Sequence, residues 1–99
     1  MEPGISTESV AKVEGLLQRN AESIVQDDLA VSVSHVIESG QVKFTVKCAP
    51  ADARFIIGKA GANAQGLKAL ARAAGQKLGI KVETHIDVPP MPGQVANTQ

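Results

Sequence analysis

Tryptophan and tyrosine are absent from these 99 residues, and phenylalanine occurs only twice. A surface that works by stacking aromatic rings is therefore not available to this chain. There is one cysteine, Cys48, which excludes an internal disulfide and a zinc site built from several thiolates. No apolar run approaches the roughly 20 residues needed to span a bilayer. The start Met1-Glu2-Pro3-Gly4 has neither the basic segment nor the apolar stretch of a secretory signal. These absences point to a soluble, cytoplasmic protein that needs no membrane. What is present is globular in character: 43% apolar and 20% charged residues, enough to close one modest core that hides roughly 65% of the unfolded surface.

The formal net charge is zero, yet the two halves differ in sign. Residues 1–40 carry two basic residues, Lys12 and Arg19, against seven acidic ones, whereas residues 41–83 carry eight basic residues against Asp52 and Glu83. A half-chain this basic is a candidate surface for a polyanion. Solvated lysines on the backs of helices and strands would give the same count, so charge alone does not decide.

Hydrophobic periodicity divides the chain into six elements. Val10, Val13, Leu16, Leu17 and Ile24 follow helical spacing behind a cap at Ser6 or Thr7, which predicts a helix ending near Gln26. Residues 29–37 alternate, with Leu29, Val31 and Val33 on one face, and predict a strand. Ser39-Gly40 reads as a hairpin turn leading into Val42, Phe44, Val46 and Cys48 on the inner face of a second strand. Pro50 ends that strand. Ala51 to Ile57 predicts a short helix with Ala53, Phe55, Ile56 and Ile57 mostly buried, and Gly58-Lys59-Ala60-Gly61 interrupts it. A longer helix follows from Ala62 to Leu78 with Leu67, Leu70, Ala74 and Leu78 as its stripe, stopped by Gly79. Ile80 to Val88 predicts the third strand. The implied organisation is a short flexible start over residues 1–6, one α+β domain over residues 7–88, and a flexible Pro-rich tail over residues 89–99.

The chemistry concentrates in Ile57-Gly58-Lys59-Ala60-Gly61. A helix pair joined this tightly needs glycine at backbone angles closed to other residues. The second helix starts here, so its unpaired amides and the positive end of its dipole face the space around the loop, which suits a phosphate. Lys59 adds a mobile cation. Alone, Gly-x-x-Gly is a weak signal, because many helix pairs turn on glycine for structural reasons.

The surrounding stretch strengthens it. Pro50-Ala51-Asp52-Ala53-Arg54-Phe55-Ile56-Ile57-Gly58-Lys59-Ala60-Gly61 resembles, without a gap, the Pro-Glu-Asp-x-Gly-Lys-x-Ile-Gly-Lys-x-Gly run of small stand-alone bacterial KH proteins of the KhpA type. The order helix, strand, strand, helix, helix, strand is similar to the type II KH fold, a three-stranded sheet with helices packed on one face. The resemblance covers roughly residues 7–88. It implies non-catalytic binding of single-stranded RNA, with a loop that clamps about four nucleotides, and work as an RNA chaperone or post-transcriptional regulator. Carried over by position, Gly58, Lys59, Ala60 and Gly61 would contact the sugar-phosphate backbone, and Ile56 and Ile57 would help wall a groove for bases. KH domains commonly hold bases on aliphatic side chains, where RRM and OB-type readers use aromatic ones, so the lack of aromatics fits. The family pattern is altered at Arg54 (usually glycine), Phe55 (usually basic), Ala62 (commonly basic) and Asn63 (frequently apolar).

Arg54, Lys68 and Arg72 are secondary candidates for RNA contact. Lys43 and Lys47 share a strand face and read better as solvated surface. His35 and His85 sit some 50 residues apart with no ligand partner at useful spacing, so they read as structural histidines, and Cys48 as a small buried hydrophobe. No nucleophile is placed with a base, and Ala60 after Gly58-Lys59 breaks the Walker pattern. No enzyme activity, cofactor, metal or small-molecule substrate is expected. The expected partner is single-stranded RNA, with single-stranded DNA second. The resemblance also implies assembly as a homodimer, or as a heterodimer with another bacterial KH protein. The competing reading is a KH fold used as a protein-interaction adaptor or dimer subunit with weak or no RNA binding.

Overall fold

The computed structural model describes residues 5–88. Ile5 packs against the core and Ser6 is the cap of the first helix, α1 (Thr7–Glu22). The Ser6 hydroxyl accepts the Ser9 amide at 3.1 Å, satisfying one of the donors that a first turn leaves unpaired. Val10, Val13, Leu17 and Ala21, at helical spacing, are buried. The helix stops before the expected Gln26. Asn20 donates to the Leu16 carbonyl at 2.8 Å and the Ser23 hydroxyl to the Asn20 carbonyl at 2.7 Å, so polar side chains occupy the last turn's backbone groups. Ile24 and Val25 return to the core beyond the helix. The expected flexible segments lie outside the described residues, apart from Ile5 and Ser6.

The first strand begins later than its alternation suggested. Asp28–Ala30 closes a single 3-10 turn, with the Ala30 amide on the Asp27 carbonyl and the Val31 amide on the Asp28 carbonyl. Leu29, expected to share a strand face with Val31 and Val33, precedes the strand and is 94% exposed. Strand β1 is Ser32–Glu38, and the two-residue turn at Ser39 and Gly40, with φ of 54° and 74°, joins it to β2 (Gln41–Lys47). Two positive φ values match the right-handed twist of a hairpin.

β2 is the central strand, antiparallel to β1 and parallel to β3 (Lys81–Ile86). Parallel neighbours require a crossover, supplied here by helices α2 (Ala53–Ile57) and α3 (Ala62–Leu78). The register pairs Val33 with Val46, His35 with Phe44 and Ile37 with Val42. Val42, Phe44 and Val46 are fully buried beneath the helices, while Lys43, Thr45 and Lys47 face the other way. This is the expected α+β layer arrangement, with one sheet face covered.

α3 takes the bounds its periodicity predicts and ends at Gly79, φ 78°. Its buried line differs, however: Leu67, Ala71 and Gly75 are buried, while Leu70, Ala74 and Leu78 are only half-buried. The reason is a close approach to β3, where a Cβ on Gly75 would lie 2.5 Å from Val82 Cγ2. Ladder pairing of β3 ends at Ile86 rather than Val88, although the Asp87 amide still donates to the Val46 carbonyl at 2.8 Å.

Candidate nucleic-acid interface

α2 is short because Pro50 ends β2 and the chain must turn at Gly58. Ala53 and Ile56, three residues apart, are buried, and Arg54 and Ile57 are thereby left on the outside. Ile57, expected to be mostly buried, is 39% exposed immediately before the loop. The Gly58 amide donates to the Arg54 carbonyl at 2.8 Å, and Gly58 itself adopts φ 77°, ψ 175°, a conformation reserved for glycine. Lys59, Ala60 and Gly61 then form one 3-10 turn, closed by the Gly61 amide on the Gly58 carbonyl at 3.1 Å. Ala60 and Gly61 are both left-handed, at φ 55° and 79°.

These angles present the loop tip to solvent. Lys59 and Ala60 are exposed, with no side chain larger than a methyl group beside the lysine. Gly61 is the N-cap of α3 and brings no side-chain cap, so the first-turn amides of a 17-residue helix have no side-chain acceptor at that position. Their partial positive charge and the helix dipole favour an anion at this end.

The other expected site residues are placed unequally. Ile56, expected to help wall the groove, is fully buried in the core and has no surface to offer a base, so of the two isoleucines only Ile57 reaches the outside. Arg54 is exposed, its guanidinium carbon 5.0 Å from the centre of the half-buried Phe55 ring. Lys68 and Arg72, four apart on α3, share an exposed flank. Lys43 and Lys47 lie on the open sheet face, 3.3 Å from Glu38 and 3.9 Å from Asp87 respectively.

Two residues organise the site in ways the sequence reading missed. Asn63 donates its side-chain amide to the Phe55 carbonyl at 2.8 Å, tying α3 back to α2 across the loop. Asp52, buried just before α2, accepts the Asp27 amide at 2.9 Å and so anchors the turn after α1. Asp at position 52 was visible within the family-like run, but its partner 25 residues away was not. Asn63 registered only as a departure.

His35 is hydrogen-bonded to Glu14 at 3.1 Å and packs its ring 6.0 Å from that of Phe44. Cys48 is half-buried, its thiol donates to the Ala49 carbonyl at 3.3 Å, and burial, reinforced by the negative charge of Asp52, pushes its pKa up. Among the described residues no three His, Cys, Asp or Glu are grouped to hold a metal ion, and no helix is long and apolar enough to cross a membrane.

A family model described as "KhpA/KhpB, KH domain" matches residues 14–86. Among solved structures, the crystal structure of an Aquifex aeolicus Era variant bound to GDP and aluminium fluoride is similar to this chain, with a TM-score of 0.60 and 14% identity. That match covers 85% of this chain and 31% of the other, and at such identity it is a likeness of fold alone. No curated protein sequence matches the chain. The element order, the mixed three-stranded sheet and the helices on one face make a type II KH fold. With the family model running from within α1 to the last residue of β3, the chain belongs to the KhpA/KhpB KH domain family.

Proposed function

We propose that this domain binds single-stranded RNA without catalysis, clamping the sugar-phosphate backbone at Gly58–Gly61 and laying bases against Ile57 and the neighbouring aliphatic surface. Membership of an RNA-binding family supports the class of ligand. The observation that carries the placement is the loop itself: two exposed small or basic residues between glycines, set at the N-terminus of α3, which has no side-chain cap. Each phosphate held there should release counterions, giving a salt slope of roughly −0.7 per contact for a single strand. Arg54, Lys68 and Arg72 add cations on the flanks.

A clamp of this size makes few contacts, so one domain binds weakly, and assembly into a homodimer or a heterodimer raises the apparent affinity by adding a second foothold. The cellular role that follows is an RNA chaperone or post-transcriptional regulator. The test is fluorescence anisotropy of labelled single-stranded RNA with the wild type and a Lys59→Asp, Ala60→Asp variant at two salt concentrations. Asp tolerates the left-handed backbone at position 60, and both side chains are exposed, so the variant keeps its fold while placing two negative charges against the phosphates. Salt-sensitive binding by the wild type alone supports the clamp. Equal binding by both, or by neither, sinks it and leaves the protein-adaptor reading.

A further inference from the structure

The acidic half of the chain contains two basic residues, Lys12 and Arg19. Both lie on α1, and both line the same groove of about 430 Å³ between α1 and α3, where Lys77 joins them from the other helix. No carboxylate lines this groove, although α1 itself carries Glu8, Glu14 and Glu22. Glu14 is hydrogen-bonded to His35 and Glu22 to Gln18. Lys12 and Arg19, seven residues apart, stand on one face of α1 and are the charged residues that this helix contributes to the groove lining.

Between the cations the groove is aliphatic. Leu16 and Leu78 are half-buried there. Ala11, Gly15 and Ala74 contribute only small side chains to its lining. Gly15 has a particular part in this: a Cβ at that position would lie 3.3 Å from Arg19 Nη1, so the glycine lets the guanidinium lie back along the helix over the groove. The volume falls within the roughly 300–1,000 Å³ of ordinary binding clefts.

The groove is separate from the loop site. Residues 74–78 are at the opposite end of α3 from Gly61, about 20 Å away at 1.5 Å per residue. Lys77 and Lys68, nine residues apart, point to opposite sides of the helix at about 100° per residue. An RNA chain held at the loop and along Lys68 and Arg72 would leave this groove open.

We propose that the α1–α3 groove docks an acidic amphipathic helix of a protein partner. Leucine-sized side chains on the partner would cover Leu16 and Leu78, and its carboxylates would meet Lys12, Arg19 and Lys77. An apolar groove between two helices is a surface that receives a helix, and the three cations of its lining, with no carboxylate among them, select an acidic one. The proposal does not rest on RNA binding.

The probe is a fluorescein-labelled designed helical peptide with leucine at i, i+3, i+4 and i+7 and glutamate elsewhere, compared with the same peptide carrying lysine for glutamate. Anisotropy should report saturable binding of the glutamate peptide alone. A Lys12→Glu, Lys77→Glu variant should weaken it at least tenfold while leaving the thermal midpoint and RNA affinity unchanged. In ¹⁵N spectra the shifted amides should be those of Ala11, Gly15 and Ala74. Absence of binding, equal binding of both peptides or an unaffected variant overturns the proposal. So does a parallel loss of RNA affinity in that variant, which would make the groove a nucleic-acid surface instead.

Discussion

The side-chain amide of Asn63 donates to the carbonyl of Phe55 at 2.8 Å, closing a bridge across the base of the loop Gly58–Gly61. The bridge explains why Gly58 is required. A Cβ there would lie 2.7 Å from the Asn63 side chain and 2.8 Å from its amide nitrogen, on top of the φ of 77°. Asn63 thus fixes the spacing between the end of α2 and the start of α3, and the Gly58 backbone fits beneath it.

Two substitutions separate the roles of this bridge. Asn63→Leu, which gives the side-chain type more frequent in the family, removes one hydrogen bond at an exposed site and should cost about 1 kcal/mol in urea unfolding. Asn63→Asp also removes the donor, but its carboxylate sits in the first turn of α3, where the dipole returns roughly 0.3–1 kcal/mol. Stability should then stay near that of the wild type. RNA affinity should fall further in Asn63→Asp than in Asn63→Leu, because the added charge faces the phosphates. Equal affinities for the two would separate Asn63 from the binding surface.

Glycines 66 and 75 lie in the same helix, yet replacement by alanine should act in opposite directions. Gly66 has nothing within 4 Å of a built Cβ, so alanine there gains helix propensity of roughly 0.8–1 kcal/mol. At Gly75 the same gain competes with a methyl placed 2.5 Å from Val82 Cγ2 and 3.0 Å from the Ile80 carbonyl oxygen. Overpacking of this kind costs about 1–3 kcal/mol, and one of the clashing atoms is backbone, so the penalty should win. Thermal midpoints measured on the two single variants check both signs, and stabilisation by Gly75→Ala would mean that α3 can move off β3 at little cost.

Gly75 also illustrates what the sequence could and could not display. Element order, the hairpin at Ser39-Gly40, the bounds of α3 and the loop between helices were all legible, because each follows from local signals: alternation, caps and glycine at left-handed positions. The stripe on α3 was misassigned because the tightest contact uses the residues with the least hydrophobic signal, Ala71 and Gly75. Leu29 was misplaced because two aspartates before it favoured a turn over the continuation of an alternating run. In the site, Gly58 to Gly61 announced themselves by spacing. Asn63 did not, since its function is a bond to a backbone carbonyl eight residues back, and no side-chain pattern records it.

Asp52 and Cys48 provide the last prediction. The Asp52 carboxylate is buried, accepts the Asp27 amide at 2.9 Å, and is the second cause, after burial itself, of the raised Cys48 pKa. A thiol whose folded pKa lies above the unfolded value binds its proton more tightly when folded. Its contribution to stability is therefore complete below the unfolded pKa, near 8.5, and is lost as pH rises through the folded one. Cys48 should accordingly react with iodoacetamide more slowly at pH 8 in the native protein than in urea. Asp52→Asn keeps an acceptor for the Asp27 amide but removes the charge, so it should speed the native reaction by less than tenfold while burial still holds the thiol protonated. Asp52→Ala leaves that amide without its partner and should cost about 1–3 kcal/mol. An unchanged alkylation rate in Asp52→Asn would show that burial alone sets the thiol.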